Sequence, residues 1–209
     1  VIKKTKLDTE KPSKWSEEDI FNFARELRKL SKPMIIAANK SDMPQSEENF
    51  EKLKNEFDYP IIPCSSDSEL ALRIAGKEGL IEYVPGENNF KTSKKLNQKQ
   101  EQALETIKKN VLEVYGTTGV QDVLNYAVFE LLKYIAIFPA GVHKLADSKG
   151  RILPDCYLLP PDSTALDFAF KLHTDFGKNF IKAIDARTGK AVGKEYKLKN
   201  RDALEIITR

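Results

Sequence analysis

The sequence predicts an α/β unit of doubly wound type followed by a small α+β unit. Two short apolar runs, Met34–Ala38 and Ile61–Cys64, are each followed by a polar turn and a helix-forming segment. The first run is apolar on both parities, which suits a strand covered on both faces of a parallel sheet. The last 70 of the 209 residues change character, to short strand-like runs around one helix. A strand–turn–helix order repeated in this way places ligands at the carboxyl ends of the strands.

Each element has its own signal. Residues Val1–Pro12 are charged and unpatterned. Ser16 and Asp19 have capping-box spacing, and Ile20, Phe23, Ala24, Leu27 and Leu30 form one stripe of a helix that Pro33 ends. After Met34–Ala38 comes Asn39-Lys40-Ser41-Asp42, then a helix over about 46–57 with Phe50, Leu53 and Phe57 inward. After Ile61–Cys64 comes Ser65-Ser66-Asp67, then a helix through about Ala75. Glycines, prolines and asparagines between 76 and 89 mark irregular chain. A long helix over 97–115 carries Leu104, Ile107, Val111 and Val114 on one face. A strongly apolar helix is expected over 120–138, with a boundary at Pro139-Ala140-Gly141. Beyond it, Tyr157–Leu159, Phe180–Ile184, Tyr196–Leu198 and Leu204–Ile207 read as strands. Residues 164–173 read as a helix burying Leu166, Ala169, Phe170 and Leu172, and Arg187–Lys190 has hairpin chemistry.

Composition narrows the functional classes. Apolar residues make up 41% and charged residues 31%, an ordinary globular balance that argues against disorder. The net charge of +3 permits an anionic partner without demanding one. No apolar run approaches the roughly 20 residues of a membrane helix, and no secretory leader is legible, so the expected compartment is the cytoplasm, with no membrane partner. Cys64, Cys156, His143 and His173 are too scattered for zinc spacing, and the cysteines read as buried thiols, Cys156 as a packing residue. His173, at a helix end, reads as solvated or as stabilising the helix dipole.

The chemistry concentrates after the two buried strands. Asn39-Lys40-Ser41-Asp42 matches the N-K-x-D guanine-recognition motif of P-loop GTPases. A carboxylate at Asp42 accepts both the N1–H and the exocyclic amine of guanine, whereas adenine presents an acceptor at N1. Asn39 ties the loop together and faces the Hoogsteen edge, and the stem of Lys40 covers the ring. Cys64-Ser65-Ser66 occupies the place of the S-A-x element, whose backbone N–H meets the guanine O6, with Ser66 in the alanine position. The same residues read equally as a helix cap. No stretch matches G-x-x-x-x-G-K-[ST], the loop that holds phosphates and magnesium. Asp147-Ser148-Lys149-Gly150 spells the D-x-x-G magnesium motif, but after the guanine motif rather than before it, so it reads as chance, as does the kinase-like triplet Asp175-Phe176-Gly177.

Three stretches carry a family resemblance: residues Lys32–Asp42, Gly119–Asn125 and Phe168–Asp175. With them the chain resembles the C-terminal portion of an Obg-related GTPase of the archaeal YchF-like group, and its final segment is similar to a TGS domain. The resemblance covers nearly everything after Trp15. It implies the C-terminal half of a P-loop GTPase domain with a helical segment over 1–139, then a small β-grasp (TGS, α+β) domain over 140–209. It implies a nucleotide site at Asn39, Lys40, Asp42, Ser65 and Ser66 with GTP or GDP bound, since Asn39, Lys40 and Asp42 keep the guanine form. Mg2+ is expected only with the phosphate-binding half, and hydrolysis only in the full-length parent. Arg201-Asp202 stands where TGS domains usually show Gly-Asp.

Two functions compete. One is a translation- or ribosome-associated GTPase switch of which this chain is the guanine-reading part. The alternative is a non-enzymatic module docking on RNA or a ribosome. The cluster Lys91, Lys94, Lys95 and Lys99 reads as a solvated face or as a phosphate contact. From Ile152 onward ten basic residues face eight acidic ones, too even to decide. Self-association is expected through a sheet edge left bare on the Met34–Ala38 strand.

Overall fold

The computed structural model describes residues 7, 11–141, 145, 150–153 and 155–209. His143 and Asp147–Lys149 lie outside the described residues, as does most of the charged start. The chain divides into two compact units, residues 1–127 and 128–209.

In the first unit, helix α1 (Glu17–Ser31) begins at the expected capping box: Ser16 Oγ accepts from the Asp19 N–H, and Asp19 accepts from the Ser16 N–H. Strands β1 (Ile36–Asn39) and β2 (Ile61–Cys64) pair in parallel, with Asn39 opposite Cys64. Helix α2 (Ser46–Glu56) connects them and α3 (Ser66–Lys77) follows β2. This is the predicted strand–helix alternation. The inward expectation for Phe57 fails, and one apolar helix face is left bare. The α1 stripe faces solvent, with Ile20 52% and Leu30 55% exposed, and Phe57 past the end of α2 is exposed as well. Among the described residues β1 pairs with β2 alone, so its other edge is open.

The unit's core lies downstream. A short hairpin, β3 (Ile81–Glu82) with β4 (Lys91–Thr92), packs beside helix α4 (Gln98–Ile107). Leu72, Ile81, Leu104 and Leu112 form the buried cluster. Helix α4 continues to Tyr115 through a π-helical segment, Lys108–Leu112. That wider turn rotates the following residues, so Leu112 is buried while the predicted face residue Val114 is exposed.

The predicted helix over 120–138 is shorter than its apolar content implied. Helix α5 (Val120–Asn125) passes into a π-helical segment, Tyr126–Leu131, and then Ile135–Pro139 becomes strand β5. β-Branched and aromatic residues crowd that end, and Lys133 takes a left-handed φ of 57° that breaks the helix.

β5 belongs to the second unit's sheet, in the order β6-β5-β9-β7-β8, where β6 is Tyr157–Leu159, β7 Phe180–Asp185, β8 Ala191–Val192 and β9 Ala203–Thr208. The second unit therefore takes in chain ahead of residue 140. Helix α6 (Ala165–Leu172) crosses the sheet, and a short α7 (Thr174–Lys178) follows it. Ile137, Leu159, Ala165, Phe168, Ala183, Leu198 and Leu204 make the core. The predicted inward residue Phe170 is 47% exposed and Phe168 is fully buried instead. The capping box at Thr164 and Asp167 starts the helix at Ala165, and Ala165, Phe168 and Ala169 form its buried face. The expected strand at Tyr196–Leu198 is reduced to one bridge, Lys197 to Thr164. The hairpin at Arg187–Lys190 forms as β7 and β8 pair. Cys64 is buried as expected, whereas Cys156 is exposed. His173 is exposed, and its Nδ1 accepts from the Asp175 N–H.

Candidate functional site

The β1–β2 register decides the site. Because Asn39 lies opposite Cys64, the loops leaving both strands emerge side by side. The Ser41 N–H donates to the Cys64 carbonyl at 3.0 Å, extending the pairing one step past the strands. Lys40 turns the first loop with a left-handed φ of 67°. Its side chain and that of Asn39 are exposed, while Asp42 is half-buried.

Two cross-loop bonds lock the pair. Ser65 Oγ donates to Asp42 Oδ1 at 2.8 Å, and Asn39 Oδ1 accepts from the Ser66 N–H at 3.1 Å. All five residues singled out in the sequence thus lie at the carboxyl ends of β1 and β2 and in the turns that follow, and four of them bond directly across the gap. The Ser66 N–H, expected as a free donor, is held by Asn39. Ser65 is wholly buried and caps α3, its hydroxyl accepting from the Ser68 N–H at 3.3 Å. The cap and the loop lock are therefore one side chain.

A third segment closes on the site from behind, and the sequence reading did not single it out. The Ser65 N–H donates to the Thr118 carbonyl at 2.8 Å. Gly119 follows with φ 76°, so tight against β2 that a Cβ there would sit 1.9 Å from the Pro63 carbonyl oxygen. Only glycine fits both the angle and the space. Glu69, 4% exposed, accepts from Thr118 Oγ1 at 2.7 Å, Tyr83 Oη at 2.7 Å and Arg73 Nε at 2.6 Å. Burial alone would raise the Glu69 carboxyl, but the three hydrogen bonds and the Arg73 charge outweigh it and hold it below the ordinary carboxylate range. Tyr83 is pushed up to about 12 by its burial and by the neighbouring Glu69. The available signal was modest: an acidic residue four places after the cap, followed by Arg at i+4.

Residues 37–141 match the family described as Obg-like GTPase YGR210-like, G4 motif-containing domain, a stretch that includes the Asn39–Asp42 loop just described. The chain belongs to that Obg-like GTPase family. Residues 144–208 match the TGS domain. β5 thus lies in the stretch matched by the G4-containing domain yet is built into the sheet that the TGS residues form. Among curated relatives, the GTP-binding protein MJ1332 of Methanocaldococcus jannaschii is 46% identical over 95% of this chain and 51% of its own length. The GTP-binding protein C428.15 of Schizosaccharomyces pombe is 31% identical over 73% of this chain and 40% of its own. The chain spans about half the length of the curated relatives it matches. A solved GTP-binding protein from Pyrococcus horikoshii OT3 is similar over the whole chain and 55% of its own length, at 40% identity and a TM-score of 0.65. These matches agree with an Obg-like C-terminal portion of α/β fold that ends in a TGS β-grasp. Among the described residues no helix is long and apolar enough to cross a membrane.

Proposed function

We propose that this chain reads the base of a guanine nucleotide, as the part of a longer Obg-like GTPase switch that carries the N-K-x-D loop and the S-A-x-like element. The observation that carries the reading is the Ser65–Asp42 bond, which fixes the carboxylate at the mouth of two exposed loops. An ionised Asp42 offers about four lone-pair sites. Ser65 uses one, and the remainder serve guanine's N1–H and 2-amino group. The buried serine sets the direction of the carboxylate before any ligand arrives, so less ordering is left to oppose binding. Asn39 holds the second loop through the Ser66 amide, and reaching guanine O6 with that amide requires Asn39 to share or release it. Lys40, exposed beside them, supplies the aliphatic stem that covers the purine ring.

The phosphates fall outside the set just described. The 209 residues contain no G-x-x-x-x-G-K-[ST] stretch, and the reading assigns phosphate cradling, Mg2+ and hydrolysis to the remainder of the longer protein. The open β1 edge and the bare α1 stripe are the surfaces that remainder would cover. A docking role on RNA or a ribosome rests on the second unit, which has its own core and sheet, and the cytoplasm is the compartment that suits both roles.

The test is a titration of labelled GTP into the complete protein and its Asp42→Ala variant. Losing a charged acceptor for two donors costs about 1.5–3 kcal/mol, so affinity falls about tenfold to a hundredfold. Equal binding by the two proteins refutes the reading.

A further inference from the structure

We propose that Glu69 is a positioning residue for base recognition, acting through Thr118 to hold Ser65 and hence the aim of Asp42. The inference rests on the guanine reading and adds to it a residue that never touches the nucleotide. A buried carboxylate is an expensive filler, and well-packed apolar side chains of similar volume commonly stabilise a fold as well or better. Glu69 is nevertheless buried to 4% exposure, with donors from three separate segments: its own helix, the chain after β3 and the turn before α5.

Those bonds converge on one peptide. Thr118 is 1% exposed and is gripped at both ends, its hydroxyl by Glu69 and its carbonyl by the Ser65 N–H. The Glu69 N–H in turn donates to the Ser65 carbonyl at 3.1 Å. Thr118 is thus strapped across the first turn of α3, and Gly119 presses the strap against β2 with no slack. Ser65 has its amide fixed by Thr118, its carbonyl by Glu69 and its hydroxyl within 2.8 Å of both Asp42 Oδ1 and Ser68 Oγ. The relay runs Glu69, Thr118, Ser65, Asp42, and each link is a hydrogen bond between buried or half-buried groups. Loosening the strap frees the Ser65 backbone and blurs the direction of the Asp42 carboxylate. The phosphates are untouched.

Inosine triphosphate separates these effects, because it has the phosphates and the N1–H of GTP but lacks the 2-amino group. In the complete protein, the preference for GTP over ITP therefore reports the Asp42 contact and cancels general losses. Thr118→Val, which keeps the volume and removes the hydroxyl, is expected to narrow that preference roughly threefold to tenfold. Thr118→Ser, which restores the hydroxyl, is expected to recover most of it. Melting curves verify that each variant is folded. If Thr118→Val does not fold, Glu69→Met keeps the side-chain length, removes both acceptors and carries the same expectation. An undiminished preference in a folded Thr118→Val or Glu69→Met protein overturns the inference and leaves the guanine reading standing. Equal narrowing in Thr118→Val and Thr118→Ser overturns it too, since the hydroxyl would then not be the cause. A wild-type protein with no preference among GTP, ITP and ATP overturns both readings.

Discussion

Ser65 donates its hydroxyl to Asp42 across 2.8 Å and so joins two loops that lie 23 residues apart in the chain. The same hydroxyl caps α3. Ser65→Ala is therefore expected to act twice. Loss of the cap costs the fold about 0.5–2 kcal/mol. Loss of the bond to an ionised acceptor lowers GTP affinity of the complete protein about tenfold. Ser65→Thr keeps the hydroxyl and is expected to restore both, the melt reading the cap and the titration reading the bond to Asp42. Paired melting and titration of the two variants check this, and unchanged affinity in Ser65→Ala contradicts it.

Glu69 and Tyr83 set opposite ends of a pH range. The folded state holds the Glu69 carboxyl below its ordinary value. Its contribution is complete above the ordinary carboxylate range and is lost as pH falls through the lowered value. Tyr83 is raised to about 12, so its protonated form is favoured by folding. That contribution is complete below the ordinary tyrosine value of about 10 and is lost as pH rises toward the raised one. Denaturant melts from about pH 3 to 11 should show stability falling at both ends, with Tyr83→Phe removing the alkaline loss assigned to this residue. A Tyr83→Phe protein with the wild-type alkaline profile would show that another group governs that limb.

Much of this was legible from residues alone, for physical reasons that differ by element. β1 and β2 are bounded by proline and polar turns and read as strands from their apolar runs, and the parallel register then brings Asn39 beside Cys64 without further information. The Glu69–Thr118 contact spans 49 positions, and nothing in either local pattern announces it. The helix-to-strand change before Ile135 was hidden because Leu131, Leu132 and Ile135 continue the helical spacing, while the short apolar run Ile135–Phe138 fits either element. The π-helical segment at Lys108–Leu112 escaped for a related reason: adding one residue to a turn leaves composition unchanged while rotating every side chain after it.

The position of β5 gives a sharp test of where the second unit begins. Ile137 is fully buried, and β5 lies between β6 and β9. The Ala136 carbonyl accepts from the Arg201 N–H at 2.7 Å, and Ala136 donates its own N–H to Asn200 Oδ1 at 2.9 Å. A fragment of residues 128–209 is expected to melt cooperatively. A fragment of residues 141–209 lacks the strand that joins β6 to the rest and is expected not to. A cooperative melt of the shorter fragment with equal stability would remove β5 from the folding unit.

Arg201 occupies the place where the TGS resemblance leads one to expect glycine, and it sits at φ 70°. The turn keeps its shape through bonds to its own peptide groups: the Arg201 N–H donates to the Ala136 carbonyl, and the Arg201 carbonyl accepts from the Arg187 side-chain Nη2 at 2.5 Å. The left-handed conformation costs a side-chain-bearing residue about 1–2 kcal/mol, offset in part by the greater chain entropy glycine loses on folding. Arg201→Gly is expected to stabilise the second unit by about 0.5–1 kcal/mol, a rise of a few degrees in Tm. A fall in Tm would mean that the Arg201 side chain contributes more than its backbone strain costs.

The 209-residue chain by itself is expected to bind GTP weakly and to self-associate. Base contacts from Asp42, Asn39 and Ser66 must first offset the several kcal/mol of freedom lost on association, and the phosphate loop that supplies most of a nucleotide's affinity is absent from the sequence. A Kd of about 1 mM or weaker follows, equivalent to about −4 kcal/mol. The free β1 edge, with Ala37 exposed, offers unpaired backbone groups, and α1 presents Phe21 at 66% and Leu30 at 55% exposure in the same unit. Open strand edges favour pairing with another copy unless a charge or proline blocks them. Light scattering should therefore show mass rising with concentration, and Ala37→Lys, which places a charge on the exposed strand, should return the chain to a monomer. Micromolar GTP binding by a concentration-independent monomer would contradict both halves of this expectation, because it would require a phosphate site and a covered edge within these residues.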